Sequence, residues 1–289
     1  MRSASRANDF MLPAETQRWV AAALARRPRG FLTDIDGTLS AIVPTPDQAR
    51  LYRGVRPLLR RCLAEFDVVA AISGRPAVDA RRLVGIPQMV YVGNHGMEAL
   101  APGDRQPTIA PEARVYQSAI DETLRDARGQ LIERFPALLF ENKGVTASVH
   151  YRQAPDPEAA HDAIRRTLDP LASAHGLRLT EGRMVVELRP PVERDKGTSV
   201  RALVRRRALA SALYLGDDRT DEDAFRALRE LRAEGVCEGI AVAIGHAEAP
   251  ASLVESADIV LPSIAQVPGF IAWILGALDA LHSSQSLPS

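Results

Sequence analysis

Short apolar runs alternate with helical stripes along most of the chain. Phe31 to Ile35 is the first run, and Leu51, Val55, Leu58, Leu59, Cys62, Leu63 and Phe66 follow at helical spacing. Val68-Val69-Ala70-Ala71-Ile72 and Met89-Val90-Tyr91-Val92 come next. Ala212 to Leu215, Ile240 to Ile244 and Asp258 to Leu261 resume the pattern toward the C-terminus. Continuous apolar runs of this length suit parallel strands covered on both faces. The alternation predicts a doubly wound α/β core with a parallel sheet.

The middle of the chain breaks the pattern. Val115, Ala119, Ile120, Leu124, Ala127, Leu131 and Phe135 form a long helical stripe, then Leu138 to Phe140 and Thr146 to Tyr151 read as half-exposed strands. A second helix is expected from about Pro157 to His175, and a hairpin over Leu177 to Leu188 around Gly182. Helix–strand–strand repeated twice is an α+β unit with an antiparallel sheet. The expected organisation is therefore an N-terminal lead-in helix over 1–30, a core over 31–105 and 189–283, and an inserted cap over 106–188. Its crossings, near Ala99 to Pro107 and Arg189 to Arg194, contain proline and suit a hinge that closes the cap over the core.

Composition narrows the class without naming it. The 289 residues are 46% hydrophobic and 25% charged, with 36 basic and 36 acidic side chains. Such a balance reads as an ordinary globular protein with no global field for nucleic acid or membrane. Cys62 and Cys237 are too few for a disulfide framework or a four-ligand zinc site, so a reducing cytoplasm is expected. Arg2, Arg6, Arg18, Arg26, Arg27 and Arg29 enrich the first thirty residues, but Asp9 and Glu15 oppose an organellar presequence and no secretory core is present. Trp19, Val20, Ala23 and Leu24 instead form an amphipathic stripe. No run is expected to span a bilayer, a monomer is expected, and the polar tail from Ser283 should fray.

Chemistry collects where the apolar runs end. Asp34 and Asp36 stand two residues apart at the close of the first, before Gly37-Thr38. Ionised carboxylates are expensive to desolvate unpaired, but a metal-assisted phosphoryl-transfer site uses such a pair, one acid attacking phosphorus and the other moving a proton. Ser73-Gly74-Arg75 closes the second run and offers a hydroxyl and a free backbone N–H to a phosphate. Lys196 opens a helix through Val200, Leu203 and Val204, where its amine can neutralise phosphate charge. Gly216-Asp217-Asp218-Arg219-Thr220-Asp221-Glu222-Asp223 packs acids directly behind a strand, a density of hard oxygens that suits Mg2+. Taken singly, Ser73 reads as a helix cap, Lys196 as a solvated lysine and the acidic run as a solvated helix start. Their joint order is what carries the inference, because ligands bind at the carboxyl ends of α/β strands.

In that order the four segments resemble the haloacid dehalogenase superfamily of phosphotransferases. The resemblance implies that Asp34 is the nucleophile forming an aspartyl-phosphate and Asp36 the acid/base. Ser73 and Lys196 would hold the phosphate. Asp217 would bind Mg2+ with Asp34 and the backbone carbonyl of Asp36, supported by Asp218 and Asp221. An acid at position 36 is expected in phosphatases and absent from the dehalogenases. Finer strings narrow the likeness: Gly93-Asn94-His95-Gly96-Met97-Glu98, Glu141-Asn142-Lys143-Gly144, His150-Tyr151-Arg152, Glu181 to Pro190, and Leu215 to Phe225 are similar to the trehalose-6-phosphate phosphatases. The similarity runs from about Phe31 to Phe270 and does not reach the residues before it. Asp34-Ile35-Asp36 departs from the Asp-Tyr-Asp frequent in that family.

What the resemblance implies is a Mg2+-dependent phosphatase that releases trehalose from trehalose 6-phosphate, completing trehalose biosynthesis. Its cap would read the sugar hydroxyls. Gly74, Arg75, Asn94, His95, Glu141, Lys143, Arg152 and Glu181 are the substrate-binding residues expected on this basis. In Glu141-Asn142-Lys143 and His150-Tyr151-Arg152 the outer residues would share a strand face, an arrangement that an ordinary polar sheet face also produces. Sucrose phosphate, glucosylglycerol phosphate and mannosyl-3-phosphoglycerate remain alternative substrates. A catalytically silent sugar-phosphate sensor is disfavoured, because Asp34, Asp36, Asp217 and Asp221 are all present.

Overall fold

A computed structural model describes residues 12–182, 184–247 and 249–285. Arg183 and the charged residues Arg2, Arg6 and Asp9 lie outside them. The elements run α1 (Ala14–Leu24), β1 (Arg29–Thr33), α2 (Val55–Glu65), β2 (Val68–Ile72), α3 (Ala77–Val84), β3 (Val90–Gly93), β4 (Glu98–Leu100), β5 (Thr108–Ile109), α4 (Pro111–Arg114) and α5 (Gln117–Leu131). They continue with β6 (Leu139–Asn142), β7 (Ala147–His150), α6 (Pro157–Ala174), β8 (Arg178–Gly182), β9 (Val185–Arg189), α7 (Lys196–Arg207) and β10 (Ser211–Gly216). Then come α8 (Asp221–Ala233), β11 (Glu238–Ile244), α9 (Ala251–Ser256), β12 (Ile259–Leu261) and α10 (Val267–Gln285).

The large sheet has the order β12-β11-β10-β1-β2-β3-β4-β5. Its first six strands are parallel, and β4 and β5 extend the edge antiparallel. Because strand side chains alternate, each buried strand feeds two cores. Phe31, Val69, Ala71, Leu213 and Leu215 pack with α1, α2, α3 and α10 on one face. Leu32, Ala70, Ile72, Ala212 and Tyr214 pack with α7, α8 and α9 on the other. A doubly wound sheet of this kind leaves the carboxyl ends of β1, β2, β3 and β10 along one open edge, with the topological switch among them.

A separate antiparallel sheet has the order β6-β7-β9-β8. Ala147, Val149, Val186 and Leu188 turn one face onto α5 and α6. The opposite face carries Glu141, Ser148, His150, Glu187, Thr180, Arg178 and Arg189, as the strand register requires. This unit interrupts the α/β pattern between β5 and α7.

Several local expectations differ from the structure. The second helix starts at Val55, not Leu51, because Gly54 adopts a left-handed φ of 90° and Leu51 instead bridges to Ser40. Val115 is 75% exposed between α4 and α5 and is not part of the buried stripe. Thr108 and Ile109, inside the segment 106–188 expected to be inserted, pair with β4 in the large sheet, so the chain leaves that sheet only after Ile109. Of the tail expected to fray from Ser283, Ser283 to Gln285 lie in the last turn of α10 and the rest lies outside the described residues. Ile264–Ser283, contrary to expectation, reaches the length and apolarity of a bilayer-crossing helix, with a mean hydropathy of 1.6. Val267, Phe270, Ile271, Ile274, Leu275 and Leu278 bury one face of it in the core against α2.

Candidate active site

The open edge of the large sheet gathers residues from four distant segments. Asp34 extends β1 by one rung, its N–H donating to the Leu215 carbonyl at 2.8 Å. The chain then turns at Gly37, whose φ is 88° and whose N–H donates to the Ser40 carbonyl. A Cβ on Gly37 would stand 1.8 Å from Asp217 Oδ2, so only glycine lets this turn lie against β10's end. Thr38 Oγ1 donates to Asp217 Oδ1 at 2.8 Å and fixes that carboxylate from the β1 side.

Lys196 is placed by its helix. Asp195 caps α7, accepting from the Thr198 N–H, while the Asp195 N–H donates to Thr198 Oγ1. This reciprocal cap fixes the first turn and holds the fully buried ammonium 3.1 Å from Asp34 and 2.7 Å from Asp221. Asp221 sits in the first turn of α8, where acids are favoured. Its Oδ1 accepts from Tyr214 Oη and Lys196 Nζ, and its Oδ2 from the N–H groups of Asp217 and Asp218. All four bonds are internal, which makes Asp221 the brace of the loop that carries Asp217.

Carboxylate oxygens of Asp34, Asp217 and Asp221 lie within 4.8 Å of one another, all buried. Burial raises Asp34 well above the ordinary carboxylate range, and the neighbouring acids add to this against the pull of Lys196. Burial and Asp221 push Asp217 up to about 8. Burial lowers Lys196, but Asp221 and Asp34 outweigh it and hold the amine well above its usual value. A crowded, dehydrated set of hard oxygens with excess negative charge fits a divalent cation. Asp34 and Asp217 would hold it, since Asp221 has spent its oxygens.

Asp36 and Arg75 form a two-pronged pair, at 2.6 and 2.7 Å, and Arg75 also donates to the Pro46 carbonyl. The Asp36 carboxylate is thus held ready at the rim. Ser73 is buried at the end of β2, its N–H bonded to Val92 and its Oγ accepting from the Arg75 N–H. Gly74 admits the His95 ring, since a Cβ there would be 2.6 Å from Nε2.

The second sheet closes the site from above. Asn94 and His95 both hold left-handed backbone conformations. Asn94, fully buried, donates to the Lys143 carbonyl at 3.1 Å and accepts from Thr146 Oγ1 at 2.7 Å, tying the large sheet to the β6–β7 turn. Glu187 meets Lys143 Nζ at 3.0 Å, Ser148 Oγ at 3.3 Å and His95 Nε2 at 3.4 Å. Burial pushes Glu187 up, but Lys143 and His95 prevail and hold it well below the usual range. Glu141 pairs with His150 at 2.9 Å and feels the charge of Arg75 across the cleft.

The structure therefore brings Asp34, Asp36, Ser73, Gly74, Arg75, Asn94, His95, Glu141, Lys143, Lys196, Asp217, Asp218 and Asp221 to one cleft. One expected reader stands elsewhere. Glu181 shares the face of Val186, and it bonds to His161 and Arg165 on α6, away from the cleft. Arg152 lies in the turn beyond β7, which ends at His150, so strand alternation does not govern it. Glu187, Thr38 and Tyr214 were not singled out in the sequence. Glu187 had a signal, since it alternates with the apolar Val186 and Leu188 on the face opposite to them.

A trehalose-phosphatase family model matches residues 32–257, most of the chain and every segment of this site. The chain belongs to the trehalose-phosphatase family. A trehalose-phosphate phosphatase of Mycobacterium avium (strain 104) is 36% identical over 248 residues, 81% of this chain and 60% of that protein. The chain thus spans about three fifths of the length of that family relative. Among solved structures, the C-terminal domain of the C. albicans trehalose-6-phosphate phosphatase aligns with a TM-score of 0.71 and 24% identity, over 93% of this chain and 99% of that one. A trehalose-6-phosphate phosphatase related protein aligns with a TM-score of 0.72 and 21% identity, over 89% of this chain and 100% of that one. At these identities the structural matches show that the family's fold, an α/β core with a separate antiparallel sheet, is the fold of this chain.

Proposed function

We propose that the chain hydrolyses trehalose 6-phosphate to trehalose and phosphate, using Mg2+ and a covalent aspartyl-phosphate on Asp34. The observation that carries this reading is that the polar face of the antiparallel sheet meets the cleft, Glu187 at His95 and Glu141 within electrostatic reach of Arg75, in a chain of the trehalose-phosphatase family. Mg2+, when bound, would offset the charge of the phosphate and of the carboxylates around it. Asp34 Oδ attacks phosphorus while Lys196 and Ser73 hold the phosphate oxygens. The leaving sugar oxygen takes its proton from Asp36, which afterwards removes a proton from the water that hydrolyses the acyl-phosphate. One prong of the Arg75 pair has to open at that step, because both Asp36 oxygens accept from the guanidinium and the proton needs one of them.

Selection for a disaccharide falls to Lys143, His95 and Glu187, joined by ionic bonds to one another, and to Glu141, paired with His150; these bonds hold donors and acceptors rigid for hydroxyl groups. The segment between Ile109 and Pro190 acts as the cap, and its release at the Asn94 and Glu187 contacts admits substrate.

The test is phosphate release with Mg2+ across trehalose 6-phosphate, sucrose 6-phosphate, glucosylglycerol phosphate, mannosyl-3-phosphoglycerate and glucose 6-phosphate. A preference for trehalose 6-phosphate is expected, and equal rates on all would overturn the substrate assignment. An Asp34→Asn variant is expected to lose turnover, and full activity in it would remove the nucleophile.

A further inference from the structure

β10 lies between β1 and β11 in the large sheet, so the residue that follows it has neighbours on both sides. That residue is Asp217. From the β1 side, Thr38 Oγ1 donates to Asp217 Oδ1 at 2.8 Å. From the β11 side, Ala243 stands in register with Gly216, and the chain runs on through Ile244 and Gly245 to His246. His246 Nε2 reaches the Asp217 backbone carbonyl at 3.2 Å and Asp217 Oδ2 at 3.6 Å. The Asp217 side chain is buried, and the His246 ring is partly shielded beside it. No apolar pattern or acidic run in the sequence marks His246.

A carbonyl oxygen only accepts, so His246 Nε2 carries a hydrogen and donates it. A nitrogen that carries a hydrogen has no lone pair to give a metal. His246 is therefore no ligand through this atom, and it acts on Asp217 from outside the acidic centre. Asp217 is thus held at three points by three side chains. Its N–H donates to Asp221 Oδ2 at 3.0 Å, its carbonyl accepts from His246, and its Oδ1 accepts from Thr38. The same His246 N–H stands against Oδ2, beyond hydrogen-bond length but within reach of its charge.

We propose that His246 is a positioning residue for Asp217, and that it sets how tightly the acidic centre holds its divalent cation. The inference rests on the reading of Asp34 and Asp217 as the residues that hold Mg2+. Outer groups that hydrogen-bond a ligating residue fix its direction, and losing one weakens metal binding by about 10- to 100-fold. Here the bond goes to the main chain of Asp217, not to its carboxylate, which puts the effect at the lower end of that range. Removing the ring frees the Asp217 carbonyl and uncovers the β11 side of the carboxylate.

The test reads bound metal without turnover. Mn2+ is titrated into the full chain, with the free ion followed by electron paramagnetic resonance, and Mg2+ is read by its competition with Mn2+. His246→Ala is expected to weaken both ions by about tenfold. His246→Gln, whose amide can donate to the same carbonyl, should restore binding to within about threefold of wild type. The Mg2+ concentration giving half-maximal phosphate release should rise in His246→Ala by the same factor as the dissociation constant, and excess Mg2+ should recover turnover. Unchanged metal affinity in His246→Ala, or a His246→Gln chain as weak as His246→Ala, overturns the proposal. A fall in Tm in EDTA with an unmoved dissociation constant would mark a merely structural contact and overturns it too. A wild type that binds neither ion overturns the metal reading itself, and the proposal falls with it.

Discussion

Replacing Asp221 with Asn tests whether the acidic centre is held together by that side chain. Asp221 accepts four bonds inside the protein, from Tyr214 Oη at 2.6 Å, Lys196 Nζ at 2.7 Å, and the N–H groups of Asp217 and Asp218 at 3.0 and 3.1 Å. An amide of the same shape accepts on one oxygen only, so one pair of donors faces an NH2 group. Each buried donor left without a partner costs about 1–3 kcal/mol.

Charge works in both directions. Losing the Asp221 carboxylate weakens the hold on Lys196, whose nearest remaining acid is Asp34. It also lifts the repulsion that raises Asp217. These two effects oppose each other, and the hydrogen-bond loss decides the sign. The expected destabilisation is about 2–4 kcal/mol for Asp221→Asn. Tyr214→Phe, which removes one donor and strands nothing on Asp221, should cost about 1 kcal/mol. Urea unfolding in EDTA, followed by the fluorescence of Trp19 and Trp273, gives both numbers. A loss under about 1 kcal/mol for Asp221→Asn, or equal losses for the two variants, would refute the bracing role.

Gly37→Ala drives a methyl group into Asp217 at a backbone φ of 88°, so phosphatase activity should fall by about a hundredfold while the far-UV circular dichroism is kept; near-wild-type activity would mean Asp217 is not positioned by this turn. Without divalent cations, thermal stability should fall as pH rises from about 4 to about 8, because Asp217 binds its proton more tightly folded than unfolded across that window. Added Mg2+ should flatten this slope, and a slope indifferent to Mg2+ would separate the acids from any metal. Glu187 has the opposite sign: depressed in the fold, it stabilises above the ordinary carboxylate pKa, and that contribution is lost as pH falls below about 4.3. Glu187→Gln should therefore flatten the acid limb of a Tm-against-pH curve, and an unchanged limb would contradict its pairing.

The core of the site was legible because each apolar run ends at its chemistry. Asp34, Ser73 and Asp217 follow β1, β2 and β10 directly, and Asp195-Lys196 announces a helix start by its cap. What was not legible depends on contacts distant in sequence. Thr38 and Asp217 are 179 positions apart, and no local pattern couples them. The grip of Arg75 on Asp36 depends likewise on how two strand ends face each other. In the second sheet the lesson is different. Glu181 and Glu187 lie on opposite faces, six residues apart across a turn in which Met184 takes a left-handed φ of 58°. Counting by twos through that turn fails, whereas the apolar neighbours of Glu187 identify its face directly. Arg152 lies just past the end of β7, so counting by twos does not reach it either.

The central strand β1 has β2 on one side, available from nearby sequence, and β10 on the other, more than half the chain later. Loop closure over that distance is slow and unrewarded until the long-range pairing is made. On the ribosome, Asp34 therefore emerges long before Lys196 and Asp217, the partner of Thr38, exist, and the intervening antiparallel unit is complete first. A nascent chain stalled after Arg189 would carry half a catalytic centre with one edge of β1 unpaired. That edge is a template for another chain, so the order of synthesis makes β1 the segment most in need of shielding while the protein is being made.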